Sequence, residues 1–257
     1  MCSSDLTLTI TAADSVSWVS AGYRELPVGR ELTDRVSCLW WRAGGTDDVL
    51  IVPDACLDLI WMDEELVLVG ADSRPRTVPG TPAAPTVGIR LRPGAAAAVL
   101  GQPAGEVLDQ QVPAELLWST VAGRLAADLS TAPVAEQLGH LARFVATRPG
   151  TVDSLVLEAA RLLGRSEDRV SVVADRLGVS ERQLRRRVVA TVGYGPKMLA
   201  RVLRLRRLPA MPGPSLSDLA LQAGYASQAH MSDDVRALTG LTPVRFLEYL
   251  GRPLVLA

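Results

Sequence analysis

The sequence predicts an α+β N-terminal domain, a small antiparallel or barrel-like sheet with helices, followed by an all-α domain. Three observations predict it. Short β-branched and aromatic runs separated by turn signals fill the first 118 residues, the hydrophobic period changes from two to 3.6 from about Trp118 onward, and the last third carries one unit twice. At 257 residues the chain is longer than one average domain and shorter than three. Hydrophobic residues make up 48% and charged residues 21%, which excludes a wholly disordered or collagen-like chain.

Taken in order, the opening Met-Cys-Ser-Ser-Asp lacks a basic stretch leading into an apolar one, so no secretory signal is read there. The longest uncharged apolar runs, 49–53 and 94–101, fall well short of the roughly 20 residues that span a bilayer. A cytoplasmic protein without a membrane partner is expected. Cys2, Cys38 and Cys56 cannot all pair and no C-x-x-C spacing occurs, so reduced thiols are expected and no metal site. Strands are predicted over Val36–Arg42, Val49–Val52, Leu57–Met62, Leu66–Val69 and Thr86–Leu91. Gly44-Gly45, Asp63-Glu64-Glu65 and the Pro-rich stretch Arg74–Pro85 punctuate them. Pro93-Gly94 introduces a short helix over Ala95–Leu100. Val134, Leu138, Leu141 and Val145 then recur at i, i+4, i+7 and i+11, an amphipathic stripe ending before Pro149-Gly150. A further helix is predicted from Val152 to Leu163, closed by Gly164. These helices could pack under the sheet, bridge to the second half or form a dimer seam.

The net charge of −1 conceals a division. Residues 1–150 hold 11 arginines against 18 carboxylates, a net of −7, whereas residues 151–257 hold 15 arginines and one lysine against 10 carboxylates, a net of +6. Within the basic half, residues 169–207 carry 11 basic and 2 acidic side chains. Such crowding of like charge destabilises a compact state unless an anionic partner relieves it, and nucleic acid is the commonest such partner.

The duplicated unit lies in the same region. Ala174 and Gly178 align with Ala220 and Gly224 at an offset of 46 residues, and Ser180, Leu184, Val188, Gly193 and Pro196 align with Ser227, Met231, Val235, Gly240 and Pro243 at 47. Each copy reads as a short helix with a small contact residue, a glycine turn, and a second helix opened by a hydroxyl N-cap. Two helices crossing steeply around so short a turn need a small residue at the contact, which is helix-turn-helix logic. In the first copy Leu184 and Val188 face inward, while Arg182, Arg185, Arg186 and Val189 share the other side at i, i+3, i+4 and i+7. A guanidinium can grip guanine O6 and N7 or hold a phosphate. Arg187, beside the apolar seam, is read as reaching toward backbone phosphate, and Arg201, Arg204, Arg206 and Arg207, on a following helix from Pro196 to Leu208, as phosphate contacts or solvated. In the second copy Gln228, Ala229, Ser232 and Asp233 are expected outward and Met231 and Val235 inward. Residues 208–257 hold 3 basic and 4 acidic side chains, so the first copy should dominate binding. His230 is read as a flank-packing residue rather than a ligand.

With these residues in place, residues 169–250 resemble the DNA-binding domain of AraC/XylS-family transcriptional regulators. VADRLGVSERQLRRRV followed by GYGP, and LALQAGYASQAHMSDDV followed by GLTP, carry the resemblance. It implies two helix-turn-helix units joined by a helix, placing recognition helices in successive major-groove segments of double-stranded DNA. It also implies DNA-contacting residues Ser180, Arg182, Gln183, Arg185, Arg186 and Arg187 in the first unit and Ser227, Gln228, Ser232 and Asp233 in the second. Two departures from the family pattern are the outward Ala229 and Asp233, and the run 208–214, whose Pro209, Pro212 and Pro214 end the linking helix early. The family further implies that the N-terminal half senses a small-molecule effector or mediates homodimerisation, with RNA polymerase as a contact if the protein is an activator. Residues 53–61 and 88–94 resemble N-terminal regions fused to such regulators.

Strand alternation sets Asp54, Cys56 and Asp58 on one face against Leu57, Leu59 and Trp61 on the other, and Arg90 and Arg92 opposite Ile89 and Leu91. If the two polar faces line one cavity, Asp54, Asp58, Arg90 and Arg92 suit a small polar or zwitterionic ligand. The alternative is an ion-pair set on a solvent-facing sheet. Trp40, Trp41 and Trp61 are read as core. No catalytic residue and no cofactor is assigned: G-x-S-x-G, H-E-x-x-H, G-x-G-x-x-G and G-x-x-x-x-G-K-[ST] are all missing, and His140 and His230 are the only histidines. The competing reading is a small-molecule-binding protein or enzyme, hydrolase-like or an alkyl-acceptor repair protein using Cys38 or Cys56, whose helical tail only contacts proteins. The expected organisation is an acidic sensing or dimerising domain over 1–118, a helical bridge over 119–165 and the double helix-turn-helix domain over 166–257.

Overall fold

The computed structural model describes residues 22–80, 85–165, 169–210 and 215–250. Cys2, the chain start, part of the Pro-rich stretch, Pro212 and Pro214 lie outside the described residues. Among the described residues there are eight strands: β1 (Tyr23–Leu26), β2 (Val36–Arg42), β3 (Val49–Ile51), β4 (Leu57–Met62), β5 (Glu65–Val69), β6 (Arg76–Val78), β7 (Thr86–Leu91) and β8 (Gln111–Pro113). Six form an antiparallel sheet in the order β1-β2-β7-β4-β5-β8, and β3 pairs with β6 beside it.

Register decides which side chains share a face. Trp40 pairs with Gly88, and Arg90 lies between Cys38 on β2 and Asp58 on β4, so one face of the sheet carries the polar set. Leu39, Leu57, Leu59, Trp61, Val87, Ile89 and Leu91 point the other way and are buried. That face is covered by α2 (Ala114–Thr131), packed on β5 and β8, and α3 (Val134–Ala146), packed on β2 and β7. These two helices therefore pack under the sheet. Arg35 closes the far end of α3, donating to the carbonyls of Val145, Arg148 and Gly150 at 3.1, 2.7 and 2.8 Å. α1 (Ala96–Leu100) ends at Gly101 in the left-handed region.

α4 (Ser154–Arg165) packs instead on the C-terminal helices. It starts two residues later than predicted, because Asp153 Oδ1 caps it by accepting from the Leu155 and Val156 amides at 3.1 and 3.2 Å. Gly164 does not close it. A Cβ at Gly164 would make only ordinary contact with Leu203 at 3.7 Å, and the helix runs on through it. The remainder is helical: α5 (Val170–Arg176), α6 (Glu181–Val192), α7 (Pro196–Leu205), a single 3-10 turn at Leu208–Ala210, α8 (Leu216–Gln222), α9 (Gln228–Thr239) and α10 (Pro243–Tyr249). α7 stops three residues short of Leu208, as Pro209 requires. No helix among the described residues is long and apolar enough to cross a membrane.

Candidate nucleic-acid interface and ligand cavity

α5 and α6 form the first helix-turn-helix unit. Ala174 is fully buried at the crossing and Gly178 turns the chain at φ 65°. Ser180 then opens α6 with a capping box: its hydroxyl accepts from the Gln183 amide at 3.2 Å, while Gln183 Oε1 accepts from the Ser180 amide at 2.9 Å. Leu184 and Val188 are fully buried, worth about 1.5–3 kcal/mol each. That burial fixes the rotation of α6, and Arg182, Arg185 and Arg186 consequently stand exposed together. Arg187 does not join them. Its Nε and Nη2 donate to Asp153 at 2.7 and 2.9 Å, tying α6 to the cap of α4, so the expected phosphate contact is replaced by an internal fork.

The second unit, α8 and α9, repeats the plan. Ala220 is fully buried, Gly224 has φ 86°, and the Ser227 hydroxyl accepts from the His230 amide. Met231 and Val235 are buried; Gln228, Ala229 and Asp233 are exposed and Ser232 is half-buried. Gln228 Oε1 accepts from the Ser217 hydroxyl at 2.9 Å. His230 stacks edge-on against Tyr225 at 5.4 Å, the packing role expected of it.

The four arginines between Arg201 and Arg207 each have a partner within the chain. Asp234, 6% exposed and overlooked in the sequence, draws Arg201 Nε to 2.8 Å and Arg204 Nη1 to 3.7 Å, seating α9 on α7. Arg204 also lies over the Tyr225 ring at 5.0 Å. Arg207 donates to the Gln222 carbonyl at 3.0 Å. Arg206 crosses to the N-terminal half, donating to the Asp54 carbonyl at 3.0 Å with Cys56 Sγ at 3.8 Å.

Arg206 forms part of the roof of a cavity of about 810 Å³, within the range of small-molecule sites. The floor is the polar face of the sheet; the roof adds Leu205, Phe246, Tyr249 and Leu250. The Tyr249 hydroxyl accepts from the Leu50 amide at 3.1 Å and donates to its carbonyl at 3.2 Å, fastening α10 to β3. Of the four residues proposed from sequence, three meet here. Arg90 Nε lies 3.2 Å from Asp58 Oδ1 and 3.3 Å from Asp54 Oδ2, and Nη1 lies 3.3 Å from Glu25 Oε1. Arg92 is elsewhere, because β7 ends at Leu91 and its Nε donates to the Val36 carbonyl at 3.0 Å. The sheet face is not solvent-facing, since the C-terminal helices cover it. Trp40 is buried, as expected, but on the cavity side of the sheet, where it donates from Nε1 to Asp58 Oδ1 at 2.7 Å. Gly88 permits this, because a Cβ there would stand 2.3 Å from the indole. Trp61 is core, as expected.

Burial raises the Asp58 carboxyl above its ordinary value against the pull of Arg90. Burial likewise pushes the Cys56 thiol up to about 12 and raises Cys38, so neither is a poised thiolate. No group of three or more His, Cys, Asp or Glu among the described residues could hold a metal.

Residues 24–113 match the model of a domain of unknown function, which spans the sheet. Among solved structures the chain is similar to ToxT from Vibrio cholerae O395, at 11% identity, covering 82% of this chain and 96% of that one with a TM-score of 0.44. It is also similar to unsaturated fatty acid bound wild-type ToxT from Vibrio cholerae strain SCE256, at 12% identity, covering 91% and 98% with a TM-score of 0.43. No curated protein matches the sequence. Residues 173–249, which hold the end of α5, both recognition helices and α10, match the model of a helix-turn-helix domain. The C-terminal part of the chain thus holds a helix-turn-helix domain, as its two repeated units predict.

Proposed function

We propose that DNA reading rests on Arg182, Arg185 and Arg186 of the first unit, and that a small molecule in the cavity controls how the two units are presented to DNA. One observation carries this reading. The cavity has its floor in the N-terminal sheet and its roof in residues at the end of α7 and on α10, so whatever occupies it touches both halves. The seat is reinforced at the other unit: Gly193, which ends α6, sits so close to the loop after α1 that a Cβ there would stand 3.1 Å from Leu108 Cδ1. A ligand with different affinity for seated and released arrangements shifts their populations, and through them operator affinity. Residues 1–118 would act as the sensing domain, with α2 and α3 as its second layer, and 166–257 as the reading domain joined through α4.

Arg206→Ala tests the coupling without any ligand. The charge-assisted bond to the Asp54 carbonyl contributes about 1.5–3 kcal/mol, so its loss shifts operator affinity by about 10-fold or more in gel-shift titration. The sign reports which arrangement binds DNA. An affinity within twofold of the wild type removes the cavity roof from the regulatory mechanism.

A further inference from the structure

The cavity's polar end is short of positive charge. Glu25, Asp54 and Asp58 converge on the single guanidinium of Arg90. Arg206, the next cation inward, directs its hydrogen bond to a backbone carbonyl and a sulfur rather than to a carboxylate. Asp72 and Arg76 pair with each other at 2.9 Å, and Arg42 and Asp63, one of each sign, also line the cavity; these four leave the balance unchanged. The raised Asp58 carboxyl has the same origin: burial outweighs the one arginine available to it. Next to the carboxylates, Tyr23 and Trp40 form a tilted aromatic pair with ring centroids 5.8 Å apart, and the walls beyond are apolar, including Leu50, Val52, Ile60 and Phe246.

Resting on the reading of this cavity as an effector site, we propose that its ligand is a cation: an amine or guanidine on an apolar or aromatic body, with the positive group at Asp54, Asp58 and Glu25 beside the Tyr23–Trp40 pair. Asp54, the most open of the three at 27% side-chain exposure, is the carboxylate a ligand reaches first. An ammonium there completes the charge balance and gains from the aromatic faces. An anion would have to take Arg90 from carboxylates already on it and stay among three like charges.

Three probes with one body and different charge test this on the full chain: 4-phenylbutylamine, 4-phenylbutanol and 4-phenylbutyrate, titrated by isothermal calorimetry and tryptophan fluorescence. The amine is expected to bind one-to-one at least ~10-fold more tightly than the alcohol, and the carboxylate not at all. Asp54→Asn and Glu25→Gln should each weaken the amine about 10-fold and leave the alcohol unchanged. Because the probe series is run on the wild type, the outcome stands even if a variant fails to fold. Carboxylate or alcohol binding as tightly as the amine overturns the charge class and leaves the cavity an effector site. Failure of all three to bind overturns the proposal, and the effector reading is then decided by the Arg206→Ala operator measurement, which uses no ligand.

Discussion

The salt dependence of DNA binding separates the charge the sequence displays from the charge the fold leaves available. Residues 169–207 carry 11 basic side chains, and if all met phosphate the slope of log K against log salt would be about −10 at about −0.9 per phosphate neutralised. The structure engages several of them internally, among them Arg187 with Asp153, Arg201 and Arg204 with Asp234, Arg206 with the Asp54 carbonyl and Arg207 with the Gln222 carbonyl. Arg182, Arg185 and Arg186 stand outward, Arg169 and Lys197 are also exposed, and the second unit adds little. Three to five phosphate contacts give a slope of about −3 to −5, a loss of roughly 10²- to 10³-fold between about 50 and 200 mM salt. Fluorescence anisotropy on a selected operator measures it. Within that series Arg185→Ala and Arg186→Ala should each either cost about 1–3 kcal/mol with the slope retained, marking a base contact, or flatten the slope by about one, marking a phosphate contact. Arg245→Ala, whose partner is Glu248 at 3.2 Å on the outer side of α10, is the control and should do neither. A slope near −10 would show that the internal pairs open onto DNA, and equal effects of the three substitutions would remove the recognition-helix assignment.

Which parts of this were legible in the sequence follows from how local their causes are. β2, β4 and β7 carry their signal within themselves, as runs of six or seven β-branched, aromatic and apolar residues, and the predicted bounds match those observed. β1, β6 and β8, reading YREL, RTV and QVP, have no such run; they are strands because a neighbour offers a ladder. The repeat was legible because each of its requirements, a small residue, a positive-φ glycine and a hydroxyl cap, falls at a fixed spacing. The fate of individual arginines was not. Arg186 and Arg187 are chemically identical neighbours, and only the rotation of α6 and the position of Asp153 send one to solvent and the other inward. Arg206 meets Asp54 across 152 residues, so no local pattern could distinguish it from a phosphate contact. That Trp40 is buried on the cavity side of the sheet depends on Gly88 lying opposite it, which no local pattern announces.

Asp234→Ala should lower stability by about 2 kcal/mol in urea titration, below the usual 3–5 for a broken buried pair because Arg201 is 39% exposed and can turn to water. The same variant frees Arg201 and Arg204, so its salt slope should steepen by up to about two; an unchanged slope together with unchanged stability would mean that Asp234 seats nothing. The Asp58 carboxyl sets a pH dependence whose sign runs against the usual one. Burial raises it, so the folded state holds its proton more tightly than the unfolded chain, where carboxylates titrate near about 3.9. Between those two values the folded state binds more protons, and the contribution of Asp58 to stability is therefore lost as pH rises through the window. Asp58→Asn removes this titration while keeping the shape of the side chain, so the stability of the variant minus that of the wild type should climb from about pH 4 upward and then level off. A difference that is flat across that range, or that falls, would mean that Arg90 and the Trp40 indole outweigh burial and that the cluster is not short of positive charge.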